Sequence, residues 1–217
     1  GARVPRGRAE QHSEGETKRP VSREELRQLL RAADGEWRGM ILAGFYTAGQ
    51  RLGDIATMTA GQVDLAAGVV RFTTGKTGRL VIVPIAAPWA QELAGRVKGR
   101  APGEHLFPRA RARYVAAGNR VGPVSNSFRT LLAKLGLAPK STVTRAGAVE
   151  GRRRMNPLSF HSFRHTATSM LKNAGVSHSV ARDLVGHESE AISAHYTHID
   201  EATKRAAMAK LPDITVA

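Results

Sequence analysis

The chain has no cysteine, which excludes disulfides and thiolate metal sites and lends no support to an oxidising compartment. It also lacks any apolar run near the roughly 18 residues of a membrane span, and its N-terminus has no signal-peptide core. No membrane partner is therefore expected, and the expected location is cytoplasmic. Acidic residues are scarce: 18 Asp and Glu stand against 33 Lys and Arg in 217 residues, a formal net charge of +15. An excess of that size sets up a long-range field that attracts polyanions, and nucleic acid is the commonest of these. The arginines are spread along the whole chain, so a broad basic surface is expected rather than one charged tail. The hydrophobic fraction of 41% is ordinary for a globular protein.

Residues 1–20 are polar and aperiodic and read as a disordered arm or linker remnant, which leaves 21–217 as one domain. Ser22 with Glu25 predicts a capping box, and Leu26, Leu29 and Leu30 form the apolar stripe of the helix it opens. From about Trp37 a second helix is apolar nearly all round and should lie at the centre of the domain. Gly49 interrupts it just before Arg51, and a further helical turn puts Asp54 on the same side. Val69–Thr73 and Leu80–Val83 are β-rich and flank GKTG, so a hairpin with Lys76 at its tip is predicted. Helical patterns return at 89–97 and 125–135, whereas 101–122 and 138–157 read as loops or weakly ordered insertions. Four more helices are predicted at 160–174, 177–185, 188–196 and 200–210. The fold class is therefore mainly α with a small antiparallel β-sheet or hairpin.

The chemistry is carried by HSFRHT, by GHESEAISAHYTHI and, far upstream, by GQRLGDI. His161 and Arg164 are three apart and share one helical face. His187 follows a glycine, and Tyr196 lies nine residues beyond it. Cleaving a phosphodiester with a phenol needs permanently charged, planar donors for the non-bridging oxygens, and Arg51 and Arg164 suit that load. It also needs a base for the phenolic proton and a donor for the leaving oxygen. His161 can accept from Tyr196, His187 can bond a phosphate oxygen, and Lys76 can supply the leaving-group proton. Tyr46 reads as a core residue; Tyr114, among arginines, reads as a base-stacking residue or an idle one. The crowded histidines show no HExxH or carboxylate-supported spacing, so no metal and no cofactor are expected.

This ordered set resembles the catalytic domain of the tyrosine recombinases, the phage-integrase family. The motifs are Gly49-Gln50-Arg51 with Asp54 three residues on, Lys76 in TTGKTG, His161-Ser162-Phe163-Arg164, Gly186-His187, and Tyr196, over roughly residues 21–211. The resemblance implies attack by Tyr196 to give a 3′-phosphotyrosyl bond, with Arg51, Arg164 and His187 on the phosphate. It further implies Lys76 as general acid, His161 as proton acceptor and Asp54 orienting groups near Arg51. The implied partner is double-stranded DNA at a recombination site, bound by a homo-tetramer that is monomeric when free, in a prokaryotic or phage setting at the nucleoid. Arg152, Arg153 and Arg154 are expected to touch backbone phosphates, which position a protein without specifying sequence. The segment after the tyrosine, with Ala202, Ala206, Ala207 and Leu211 as an apolar face, would dock on a neighbouring subunit or on its own domain. The family usually adds an N-terminal helical domain, which residues 1–20 are too short and polar to supply; a catalytic fragment or shortened member is expected. Type IB topoisomerases use a similar residue set, and a DNA-binding relative without catalysis is the other alternative. The eight residues between His187 and Tyr196 and the short tail favour a recombinase.

Overall fold

The computed structural model describes residues 19–138, 156–185 and 201–215. Helix α1 (Arg23–Ala32) begins with the capping box that its sequence specifies: Ser22 Oγ accepts from Glu25 N at 3.1 Å, and Glu25 Oε2 accepts from Ser22 N at 2.8 Å. Arg19 forks onto the same carboxylate at 2.8 and 2.6 Å. Its hydrogen bonds, helped by the Ser22 amide, hold the Glu25 carboxyl down at about 2. Leu26, Leu29 and Leu30 are buried, as their spacing requires.

Helix α2 (Gly35–Tyr46) is buried continuously from Gly39 to Tyr46 and forms the axis of the domain. It packs against α1, α3 (Leu52–Ala56), α4 (Ala87–Val97) and α7 (Ser162–Asn173). The contact with α7 depends on Gly44: a Cβ there would lie 2.6 Å from the Phe160 ring. Phe160 and Phe163 meet edge to face at 5.0 Å, and Phe128 of α6 (Gly122–Lys134) closes on both rings at 5.5 and 5.6 Å. These three rings pack where α7 begins, beside His161 and Arg164, and fix its start.

Strands β1 (Val63–Asp64), β2 (Val69–Thr73) and β3 (Leu80–Pro84) form one antiparallel sheet in that order. The β2–β3 register runs from Val69 opposite Pro84 to Thr73 opposite Leu80, leaving Lys76 at the exposed tip. Val70, Phe72, Val81 and Val83 point to the core, the period-2 pattern of a half-buried hairpin. Helices α8 (His178–Val185) and α9 (Glu201–Met208) both pack against β3.

Two expectations need correction. Residues 101–122 are not all loop, because α5 (Pro108–Ala116) lies within them. Its amide cap comes from Glu36, whose carboxylate accepts from Arg109 N at 2.7 Å and Ala110 N at 3.0 Å. The apolar face expected after the tyrosine is also different: Ala202 and Ala206 are exposed, while Ala207, Met208, Leu211 and Ile214 are buried on the chain's own domain. There the buried Tyr46 hydroxyl donates to Pro212 O at 3.1 Å and accepts from Ile214 N at 3.3 Å. Burial pushes that phenol up to about 12, so it stays protonated and serves as a tether. The expected helix 188–196 and nearly all of the expected arm lie outside the described residues.

Candidate active site

The site starts where α2 stops. Thr47 Oγ1 donates to Ala43 O at 2.6 Å, and the chain then reverses through two left-handed residues, Ala48 (φ 54°) and Gly49 (φ 83°). The reversal brings the Gly49 carbonyl against α7, where it accepts from Arg164 Nε at 3.0 Å. A Cβ on Gly49 would lie 2.2 Å from Arg164 Cα, so the G-x-R glycine is required twice, by its φ and by this approach. Gly49→Ala is therefore expected to destabilise the fold by about 2–4 kcal/mol, combining left-handed strain with overpacking. Urea unfolding measures this, and a loss under about 1 kcal/mol would mean Arg164 has room to retreat.

The same turn delivers Arg51 to the residue before α3. Arg164 is only 8% exposed, and its pKa is held below the ordinary guanidinium value by burial first and by the charge of Arg51 second. Among the described residues neither guanidinium is ion-paired with a carboxylate. Two cations held together against their mutual repulsion, one of them desolvated, make a place for an anion.

Asp54 on α3 reaches outward to the hairpin, where Oδ1 accepts from Gly75 N at 2.8 Å; its buried Oδ2 has no hydrogen-bond partner among the described residues. Lys76 is the next residue. Arg51, Asp54, Lys76, His161 and Arg164 all line one cleft of about 820 Å³. His161 is exposed at the start of α7, its ring edge-on to His165 with centroids 5.4 Å apart. Tyr114, Asn119, Val121 and Ser125, from α5, α6 and their connection, complete the wall. Apart from Tyr114, sequence reasoning passed over these: Asn119 and Val121 sit in a stretch read as loop, and Ser125 opens a predicted helix with nothing in its type to mark it as lining a cleft. Gln50 Nε2 donates to Leu184 O at 3.3 Å, which secures the end of α8 to the Gly49–Arg51 turn. His187, Tyr196, Arg152, Arg153 and Arg154 lie outside the described residues.

The cleft can therefore hold a monoanionic or dianionic group between two guanidiniums, with an amine on a hairpin and an imidazole at its rim. Comparison with known proteins agrees in family and fold. The family model described as "Phage integrase family" matches residues 20–203. Tyrosine recombinase XerC of Pseudomonas putida is 27% identical over 161 residues, covering 74% of this chain and 47% of that protein. The chain thus spans about half the length of these curated relatives. The integrase of mycobacterium phage Brujita has a similar fold, with a TM-score of 0.63 at 20% identity over 91% of this chain and 59% of that one. The Tn1549 transposon integrase, solved in complex with transposon right end DNA, has a TM-score of 0.54 at 16% identity, covering 91% and 67%. A family match across most of its length, over a mainly helical fold with one small antiparallel sheet, places this chain in the phage integrase family.

Proposed function

We propose that the chain is the catalytic part of a site-specific DNA recombinase that cuts and rejoins duplex DNA through Tyr196. The observation that carries this reading is the pair Arg51 and Arg164, held together in a cleft that also takes in Lys76 and His161. The phenolic oxygen of Tyr196 attacks the scissile phosphorus, and the bond from phosphorus to the 5′ oxygen breaks. The proton leaving the phenol passes to His161, and Lys76 delivers a proton to the departing 5′ oxygen. Arg51, Arg164 and His187 carry the charge that gathers on the non-bridging oxygens. A 5′ hydroxyl of a partner duplex then attacks the phosphotyrosine and expels the phenol, so strands are exchanged with no net loss of phosphodiester energy. The formal charge of +15 favours DNA as the partner and predicts binding that weakens steeply with salt. Assembly as a tetramer on two DNA sites at the nucleoid, with Arg152, Arg153 and Arg154 on backbone phosphates, belongs to the same reading.

The test is covalent capture. Nicked duplexes from a randomised pool, built so that the released piece diffuses away, are incubated with the chain and the trapped sites are amplified. Trypsin then leaves the DNA on the peptide Asp183–Lys204, which contains a single tyrosine, Tyr196. Attachment elsewhere, or retention with no covalent product, removes the proposal. Relaxation of supercoiled plasmid without selection of any site would instead favour a topoisomerase.

A further inference from the structure

Lys76 can protonate a leaving oxygen only if a hairpin tip holds it steady, and a tip of this kind has few contacts of its own. Within it, Thr74 N donates to Arg79 O at 2.9 Å and Gly78 N to Thr74 O at 2.9 Å. Beyond these, the tip is fastened on both flanks by carboxylates from other elements. On one flank Asp54 takes the Gly75 amide. On the other, Arg79 Nη2 donates to Asp183 Oδ1 of α8 at 2.9 Å.

Asp183 has a second partner. Lys204 Nζ of α9 lies 2.7 Å from its other oxygen, Oδ2. One carboxylate therefore joins three elements, giving each of its oxygens to a different cation. The Asp183 and Lys204 side chains are only 21% and 17% exposed and Arg79 is 38% exposed, against 41% and 42% for the isolated Arg71–Asp64 pair in the same sheet. Shielding and shared charge give such a network geometric weight that isolated surface pairs lack. The next residue of α9 clamps the same sheet: Arg205 donates to Ala67 O at 2.6 Å and Gly68 O at 3.3 Å, in the β1–β2 turn.

We infer that Asp183 is a positioning residue for Lys76, pinning its hairpin to α8 through Arg79 and linking that hairpin to α9 through Lys204. The inference rests on the reading of Lys76 as general acid. Its consequence is that α9, which follows the segment bearing Tyr196, is coupled to the group that protonates the leaving oxygen. When α9 is docked as seen here, the hairpin is anchored through Asp183 and Lys204 together. When α9 moves away, Arg79 alone remains on Asp183 and the tip loosens.

Two measurements test it. In the free protein, amide exchange by NMR at Thr74 and Gly78 is expected to quicken several-fold in Asp183→Asn, while α1 and α2 amides stay unchanged. Asp64→Asn, which breaks the exposed pair in the same sheet, is the control and should leave both tip amides alone. On captured duplexes, Asp183→Asn should slow covalent adduct formation by about tenfold or more, the scale of a small misplacement of a reacting group. DNA retention in a gel-shift assay should not change. That loss should vanish when the scissile 5′ oxygen is replaced by sulfur, because a thiolate departs without a proton. Lys204→Gln should show a smaller loss, restored in the same way. Unchanged tip exchange, or a loss that sulfur does not restore, overturns the positioning role; an unaffected Lys204→Gln overturns the link to α9. If wild-type protein forms no adduct on either duplex, the recombinase reading falls, and amide exchange still decides the anchor.

Discussion

Replacing Arg164 with alanine is expected to slow covalent adduct formation by a hundredfold or more, with little change in DNA retention. The asymmetry follows from where the side chain sits. Arg164 is buried beneath the cleft, its Nε–H given to the Gly49 carbonyl at 3.0 Å. That bond fixes the guanidinium plane and leaves the terminal amino groups to serve the cleft. A phosphate in the ground state is already neutralised in part by the basic surface as a whole, so one cation among many adds little to retention. The transition state concentrates charge on two oxygens at one place, and there a preorganised donor counts for most. Arg164→Lys should fail almost as badly. It keeps the charge but loses both the Nε bond and the planar fork.

The fold itself should survive the alanine variant. Leaving the Gly49 carbonyl without its partner costs about 1–3 kcal/mol, partly offset by relief of burial and of repulsion from Arg51. Thermal melts of both variants, read beside the adduct rates and gel shifts, separate the effects. Cleavage and retention falling in step would make Arg164 a docking residue.

Much of this arrangement is written locally in the chain, and the exceptions share a cause. Ser22 and Glu25 are three residues apart, so their mutual capping can be read from spacing alone. The hairpin is equally local, since GKTG lies between two β-rich runs. Gly49 is visible as an interruption, although only the structure shows that Arg164 occupies the space where its side chain would be. Helix α5 was hidden because alternating Arg and Ala give no apolar stripe; only Ala110 of its residues is buried. The cap that starts it comes from Glu36, more than seventy positions away in sequence. Asp183 was invisible for the same reason, as nothing in the order of residues joins positions 79, 183 and 204. Sequence therefore exposes the groups proposed to do the chemistry, whose types and order are constrained, and conceals the partners that hold them. Those partners need only the right charge at the right distance.

Lys76→Met should produce the second large loss, about a hundredfold to ten-thousandfold in adduct formation on an ordinary duplex, the range for a lost general acid. On sequence alone a lysine in a turn is most simply a solubilising residue. The structure puts this one on the wall of the cleft shared by Arg51, His161 and Arg164. Methionine keeps the length and most of the apolar stem, and the tip is closed by backbone bonds and by Asp54, none of which involves the lysine amine. The substitution therefore removes the proposed proton donor and its charge while leaving the hairpin in place. A departing 5′ alkoxide is a strong base that leaves slowly without a proton, whereas a thiolate leaves unaided. On a duplex with sulfur at that position, the variant should recover to near the wild-type rate. The recovery distinguishes two roles that one charged amine could fill. If Lys76 only helps to hold the phosphate, its loss weakens both duplexes equally, because the non-bridging oxygens are the same in each. Equal losses on oxygen and sulfur would move Lys76 from proton donor to phosphate ligand, and the leaving group would need another acid from the rim of the cleft, where His161 stands exposed.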